Sequence, residues 1–81
     1  MRTQQKYPVI DLKRTGENIK ELRENAGLTV AELQRRFGFN TPQAIYRWQN
    51  GITLPTVDNL LILAHEFAVN IDDILIVNWE N

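Results

Sequence analysis

Apolar side chains recur along most of the chain at the three- and four-residue spacing of amphipathic helices, and no segment shows the clear alternation of a strand. The positions predicted to face a core are, in chain order, Ile19, Leu22, Ala26, Val30, Leu33, Phe37, Ile45, Trp48, Val57, Leu60, Leu61, Ala64, Phe67, Ile71, Ile74 and Leu75. They fall into short groups separated by polar, Gly or Pro residues. The pattern therefore predicts five helices packed into one compact all-α domain.

Residues that cap or end a helix mark the boundaries of these segments. Helix starts are predicted at side chains that accept hydrogen bonds from free backbone N–H groups, namely Thr15, Thr29, Thr41 with Pro42 at the first helical position, Thr56, and Asn70 with Asp73 three residues later. Gly27, Gly38 and the pair Asn50-Gly51 end the first three helices. The third helix is thus predicted over residues 42–49.

The two ends of the chain differ from its middle. Residues 1–13 contain Pro8 and little helical pattern, so they are predicted to form an N-terminal arm before a domain of residues 14–76. Residues 77–81 are assigned to a C-terminal tail. The apolar run at 74–77 fits a helix end, a short strand or an exposed edge, and together with Trp79 it either closes the core or pairs with a second chain.

Composition and charge narrow the function classes. The 81 residues include no Cys, which excludes disulfides and thiolate metal sites and fits the reducing cytoplasm. No apolar run approaches the roughly 20 residues that span a bilayer. The net charge of −1 divides into +3 for residues 1–14, +1 for residues 15–50 and −5 for residues 51–81. A polyanion is therefore attracted to the first half of the chain and repelled by the second.

The second and third predicted helices form a helix-turn-helix unit, in which the later helix must dock one face and expose the other. Gln43, Ala44, Tyr46 and Arg47 occupy its outward or flanking positions. Gln can bond an adenine edge, Arg a guanine edge or a phosphate, and Ala can touch a thymine methyl. The Thr41 hydroxyl is suited to a phosphate contact.

These segments resemble the Cro/CI-type (lambda-repressor-like, Xre) helix-turn-helix family. The similarity runs over about 57 of the 81 residues, through "NIKELRENAGLTVAELQRRFGF" and "AIYRWQNGITLPTVDNLLILAHEFAVNIDDIL". The resemblance implies a five-helix DNA-binding domain that binds a two-fold operator as a dimer. It also implies that Gln43, Ala44 and Arg47 face the bases and that Thr41 and Asn50 lie near phosphates.

The chain departs from the family pattern at four places. Val30 replaces a common phosphate-contacting Gln, and Pro42 replaces a polar side chain that often touches DNA. Gln34 stands where a small Ala is usual, so it either extends into solvent or widens the angle between the two motif helices. The turn over residues 38–41 is one residue longer than usual, which leaves room for such widening.

Several polar and aromatic residues have simpler structural interpretations. Trp48 is in register with Ile45 and is expected in the core, whereas Tyr46 fits edge packing and phosphate contact equally well. Arg23 is expected to hydrogen-bond Gln49 at the end of the third helix, where the family often has Glu. The pair Arg35-Arg36 is expected to form a solvated helix end.

No catalytic constellation emerges from the sequence. There is no nucleophile with a base, no phosphate-binding Gly loop and no pair of carboxylates. His65 is the single histidine and has no other metal-ligating residues at a suitable spacing, so it is not expected to bind a metal. We therefore expect no enzyme, cofactor, metal or small-molecule substrate. The sequence predicts a cytoplasmic transcriptional regulator that acts as a repressor and binds a palindromic DNA operator as a homodimer. The alternative is a protein-interaction module on the same scaffold, of antitoxin or anti-repressor type, which the acidic C-terminal half would suit.

Overall fold

The computed structural model describes residues 7–80, which form five helices and a two-stranded antiparallel ribbon. In chain order the elements are β1 (Tyr7–Ile10), α1 (Leu12–Asn25), α2 (Val30–Phe37), α3 (Gln43–Gln49), α4 (Val57–Phe67), α5 (Ile71–Ile74) and β2 (Val77–Glu80). The prediction of a compact five-helix domain is confirmed. None of the helices in this part of the chain combines the length and apolar content needed to cross a membrane.

The core is one cluster of apolar side chains to which all five helices contribute. Its buried members are Ile19, Leu33, Ile45, Trp48, Leu60, Leu63, Phe67 and Ile74. The predicted stripe of α4 is wrong at two positions, because Val57 and Leu61 are 70% and 56% exposed while Leu63 is fully buried. This helix is apolar on several sides, so spacing alone did not distinguish the two possible stripes.

Helix α1 begins earlier than the sequence suggested. Asp11 is its N-cap, and its carboxylate accepts a hydrogen bond from the Arg14 backbone N–H at 2.9 Å. The predicted cap at Thr15 is wrong, because that residue is fully buried inside the helix. Its hydroxyl accepts from the Ile76 backbone N–H at 2.9 Å and donates to the Ile76 carbonyl at 3.3 Å. The hydroxyl is therefore used to hold the start of the C-terminal strand.

The ribbon joins the two ends of the described chain. Tyr7 lies opposite Glu80 and Ile10 lies opposite Val77, and the Asp11 backbone N–H extends the ladder to the Ile76 carbonyl at 2.8 Å. The apolar run at 74–77, for which a helix end, a short strand and an exposed edge were left open, passes from the end of α5 into β2. The strand at Tyr7–Ile10 was not predicted. Of the predicted N-terminal arm, residues 1–6 lie outside the described part and Tyr7–Ile10 is β1.

The starts of α2, α4 and α5 follow the predicted capping chemistry. The Thr29 hydroxyl accepts from the Glu32 backbone N–H at 3.0 Å, and the Glu32 carboxylate accepts from the Thr29 N–H at 2.8 Å. This reciprocal pair lowers the pKa of Glu32, chiefly because the Thr29 backbone N–H binds the charged carboxylate. Thr56 caps α4, and the Asp73 carboxylate accepts from the Asn70 N–H at 3.0 Å to start α5.

Candidate nucleic-acid interface

Helix α3 is anchored on one side and open on the other. Ile45 and Trp48 are buried, as predicted. The indole of Trp48 meets the rings of Phe37 and Phe39 edge to face, with centroid distances of 5.4 Å and 6.0 Å. Such contacts add to the stabilisation from apolar burial and fix the rotation of the helix about its own axis.

The outer face of α3 consists of Gln43, Tyr46 and Arg47, followed by the C-cap residue Asn50, and all four are exposed. Ala44 is half-buried and packs against the core, so it lies at the margin of this face. Each of these sequence-predicted residues is therefore accessible at least in part. The face carries a cationic Arg and neutral polar groups, with no carboxylate among them.

A shallow cleft of about 350 Å³ lies at the start of α3. It is lined by Phe39, Asn40, Thr41, Gln43, Ala44 and Arg47. Four predicted site residues thus share one concavity, whereas Tyr46 and Asn50 lie outside it. Asn40 belongs to this cleft but was treated only as a turn residue in the sequence, because its approach to α3 depends on the path of the turn.

The start of α3 differs slightly from the prediction. Pro42 is the N-cap residue and Gln43 is the first helical residue, so the helix spans Gln43–Gln49. The Thr41 hydroxyl lies 3.4 Å from the Gln43 backbone nitrogen, a long contact that leaves the hydroxyl exposed. Thr41 is therefore a weaker cap than expected and remains open to other partners.

The turn before α3 is held by Gln34, one of the residues that depart from the family pattern. Gln34 is half-buried, and its side-chain Nε2 donates to the Phe39 carbonyl at 3.2 Å. The backbone carbonyl of Gln34 accepts from the Phe39 backbone N–H at 3.1 Å. The Phe39 ring stacks on Phe37 at 4.9 Å. The interpretation in which Gln34 extends into solvent is therefore wrong. Gln34 ties the long turn to the end of α2.

The C-terminal end of α3 is fixed to the turn between α1 and α2. The buried Arg23 donates from Nε to the Gln49 side-chain oxygen at 2.8 Å and from Nη1 to the Leu28 carbonyl at 2.7 Å. The predicted Arg23–Gln49 hydrogen bond is confirmed. Because Arg23 is buried in these contacts, it has a structural role and is not part of the outer surface.

Close backbone packing also connects α1 with α3. A Cβ added to Gly16 would lie 2.7 Å from the Gln49 carbonyl oxygen and 2.9 Å from the Gly51 nitrogen, and closer still to the Trp48 carbonyl oxygen. Only a glycine permits this approach. This role of Gly16 could not be predicted, because the residue sits within an otherwise ordinary helical segment.

The cations around α3 differ in their availability. Arg36 is exposed, as expected for a solvated helix end, and it also forms an ion pair with Glu66 at 2.7 Å. Among the ion pairs of residues 7–80, none includes Arg47, Arg35 or the two lysines of α1. Lys13 and Lys20 line a second cleft, of about 340 Å³, together with Glu17, Gln49 and Asn50. Their seven-residue spacing places both on one side of α1, a signal that the sequence contained.

The comparisons with known proteins concern the fold and the family of this chain. The DNA-binding domain of BldD has a TM-score of 0.67 and 20% identity to this chain, over 80% of this chain and 93% of that chain. A structure of the S. venezulae BldD DNA-binding domain gives the same TM-score and identity, with 96% of its chain covered. At this identity the likeness concerns the fold. A search of curated proteins gives no match. The helix-turn-helix family model matches residues 19–74, which is more than half of the chain. The chain belongs to the Cro/CI-type helix-turn-helix family.

Proposed function

We propose that this protein binds double-stranded DNA sequence-specifically and regulates transcription as a repressor, without catalytic activity. In this proposal α3 enters the major groove, two copies occupy a palindromic operator, and the protein acts in the cytoplasm. Family membership and the likeness to two DNA-binding domains support the general assignment. The roles of individual residues rest on the chemistry of α3.

The observation that carries the proposal is the outer face of α3. A groove-reading helix needs hydrogen-bonding side chains on one face and a firm anchor on the other. Gln43 and Arg47 are exposed beside the same cleft, while Ile45 and Trp48 hold the helix from behind. Side chains held on a rigid element lose less conformational freedom when they bind, which favours specific contacts.

The side chains divide into base readers and phosphate contacts. Gln43 is suited to the two hydrogen-bonding groups of adenine, and Arg47 to guanine or a phosphate. Ala44 supplies a methyl group beside them for a thymine methyl. Thr41, Tyr46 and Asn50 carry hydroxyl or amide groups that suit the sugar–phosphate backbone.

Fluorescence polarisation on duplex DNA at increasing salt tests whether binding occurs. If about four phosphates are neutralised, the slope of log affinity against log salt should be near −3.6. A measurable affinity at low salt with a clearly negative slope supports the proposal. Absence of binding at low salt, or a slope near zero, contradicts it.

Site selection on a random library separates base reading from positioning. Gln43→Ala should cost roughly 1–3 kcal/mol on the preferred site and relax selectivity at one base pair, with little change in nonspecific affinity. Asn25→Ala is a matched control, because it removes an exposed amide from the end of α1. Identical site preferences for the wild type and Gln43→Ala would show that Gln43 reads no base.

Arg47 has a charge-matched control on the neighbouring helix. Arg47→Ala should weaken binding to all sequences and should weaken the preferred site most. Arg35→Ala removes the same charge from an exposed position at the end of α2, so it should lower affinity less and leave selectivity unchanged. Equal effects of the two substitutions would assign Arg47 a purely electrostatic role.

The protein-interaction alternative is favoured by one specific observation, the exposure of Val57 and Leu61 on the same side of α4. Unpaired apolar side chains on a helix are common in protein-binding surfaces. The DNA titration distinguishes the two functions, because a protein-binding module has no reason to bind duplex DNA with a steep salt dependence.

A further inference from the structure

The terminal ribbon has two outer edges that differ in chemistry. The pairs along it are Tyr7 with Glu80, Pro8 with Trp79, Val9 with Asn78, and Ile10 with Val77. In an antiparallel ladder the backbone groups of successive residues point alternately to the partner strand and away from it. The Asp11 N–H points to β2, because it donates to the Ile76 carbonyl at 2.8 Å. The same alternation turns the backbone groups of Pro8 and Ile10 outward on β1, and those of Val77 and Trp79 outward on β2.

The edge of β1 is protected and the edge of β2 is open. Pro8 has no N–H to offer at its outward position, which is a common way to prevent strand addition. Val77 and Trp79 each present a free N–H and a carbonyl. Within residues 7–80 no third strand pairs with this edge, since the sheet contains β1 and β2 alone.

One face of the ribbon is apolar and overhangs a groove. Residues that lie opposite each other in the ladder share a face, so Pro8, Ile10, Val77 and Trp79 line one side. Together with Leu75 and Asp72 they surround a groove of about 510 Å³. Trp79 is 59% exposed at its margin. An apolar groove next to an open strand edge provides two means of attachment for one partner.

We propose that the partner is a second copy of this chain, whose β2 pairs antiparallel with β2 about a two-fold axis at Asn78. The register follows from the outward groups, because Val77 of one copy then lies opposite Trp79 of the other. This pairing forms four backbone hydrogen bonds and joins the two ribbons into a four-stranded sheet. The proposal rests on the dimer of the proposed function and specifies its surface.

The same register supplies an occupant for the groove. Side chains that are opposite each other share a face, so the partner's Trp79 lies beside Val77 on the apolar side, next to Leu75. Each indole thus enters the groove of the other copy, and the contact is made twice, as a two-fold interface requires. Glu80 lies opposite residue 76 of the second copy and not opposite its own counterpart. No like charges face each other across the new pair of strands.

The interface is small, so we expect association in the micromolar range. Sedimentation equilibrium in the absence of DNA should show reversible dimers for the wild type. Trp79→Thr should weaken the dimer by about tenfold or more, because a buried aromatic anchor is lost. Tyr7→Thr is the matched control. It removes an aromatic of similar exposure, 61%, from the opposite face and the protected edge, and it should leave the dimer intact.

Backbone pairing has its own test. Trp79→Pro and Trp79→Thr both lack the indole, but only the proline also lacks the N–H that points away from β1. The ribbon should therefore persist in Trp79→Pro, while its dimer should be weaker than that of Trp79→Thr because two of the four intermolecular hydrogen bonds are lost. In wild-type protein, amide hydrogen exchange at Val77 and Trp79 should slow by about tenfold or more as concentration rises through the dimerisation range. Asn78 and Glu80, whose N–H groups face β1, should show much smaller changes.

Three results would overturn this assignment: a monomeric wild type at several hundred micromolar, equal dimerisation of Trp79→Thr and Tyr7→Thr, or exchange at Val77 and Trp79 that does not depend on concentration. The exchange measurement needs no variant, so it decides the matter even if a substitution unfolds the ribbon. All three are made without DNA. DNA binding by a protein that fails them would leave the proposed function intact and place the dimer contact elsewhere.

Discussion

Gly16→Ala is expected to destabilise the domain although alanine is the better helix former. In an unobstructed helix interior this change stabilises by about 1 kcal/mol. Here the new methyl group would lie 2.7 Å from the Gln49 carbonyl oxygen and 2.9 Å from the Gly51 nitrogen. Both distances are far below van der Waals contact, and the obstructing atoms belong to backbone, which no change of rotamer can move.

Relief of this clash requires α1 and α3 to separate. The end of α3 is held by the buried Trp48 and by the Arg23–Gln49 hydrogen bond, so it cannot move without loss of other contacts. Overpacking of this kind costs about 1–3 kcal/mol and more where the backbone is involved, so we expect a net loss of about 2–4 kcal/mol. Because the displaced element is α3, DNA affinity should fall as well.

Urea denaturation followed by circular dichroism measures the effect. Glu17→Ala, at the next and exposed position of the same helix, controls for helix propensity and should change the free energy of unfolding by only a few tenths of a kcal/mol. A Gly16→Ala protein as stable as the wild type, or more stable, would refute the close approach of the two backbones. The same protein with normal DNA affinity would refute the link between this contact and α3.

Three further predictions concern hydrogen bonds. Arg23→Met should lower the free energy of unfolding by about 2–4 kcal/mol in urea titrations, because it leaves two half-buried acceptors, the Gln49 side-chain oxygen and the Leu28 carbonyl, without their donor. Gln34→Ala should cost about 1 kcal/mol and alter site selection on duplex libraries, because the Phe39 carbonyl loses its donor and the turn into α3 loosens. Backbone N–H donors lower the pKa of both Asp11 and Glu32 in the folded protein. The two carboxylates therefore stabilise the fold fully above their unfolded pKa values, near 4, and this stabilisation is lost as the pH falls through the lower folded values. Urea midpoints at pH 7 and pH 3 should therefore differ less in Asp11→Asn than in the wild type, and an equal difference would contradict this.

Local chemistry explains why much of the fold could be predicted. Thr29 and Glu32 are three residues apart and satisfy each other's backbone groups, whatever the rest of the chain does. The burial of Ile45 and Trp48 follows from their spacing on one short helix. The Arg23–Gln49 hydrogen bond could be predicted because the family resemblance pairs these two positions. The six site residues were found on or beside α3 for the same reason, and their roles toward DNA stay predictions.

Long-range pairing explains what could not be predicted. The ribbon joins residues some 70 positions apart, and four-residue strands carry too little alternation to be recognised. Thr15 was predicted as a helix cap because capping rules consider only neighbouring residues, whereas its hydroxyl bonds Ile76, which is distant in the sequence. In α4 the apolar residues on several sides left the buried stripe undetermined, and Leu63 was missed. Each error arose where a tertiary partner overrode a local preference.

Two consecutive residues of α1 connect the ribbon with α3. The Thr15 hydroxyl holds the Ile76 backbone N–H at 2.9 Å, immediately before β2. Gly16, the next residue, lies against the carbonyl groups at the end of α3. The open edge of β2 and helix α3 are thus connected through one helix, α1, by only a few contacts and without a flexible linker. If two copies pair through β2, the distance between their α3 helices is set by this short path. The packing of α1 would then set the spacing of the two operator half-sites. A protein whose ribbon is displaced would bind a single half-site normally but would lose its preference for two half-sites at that spacing.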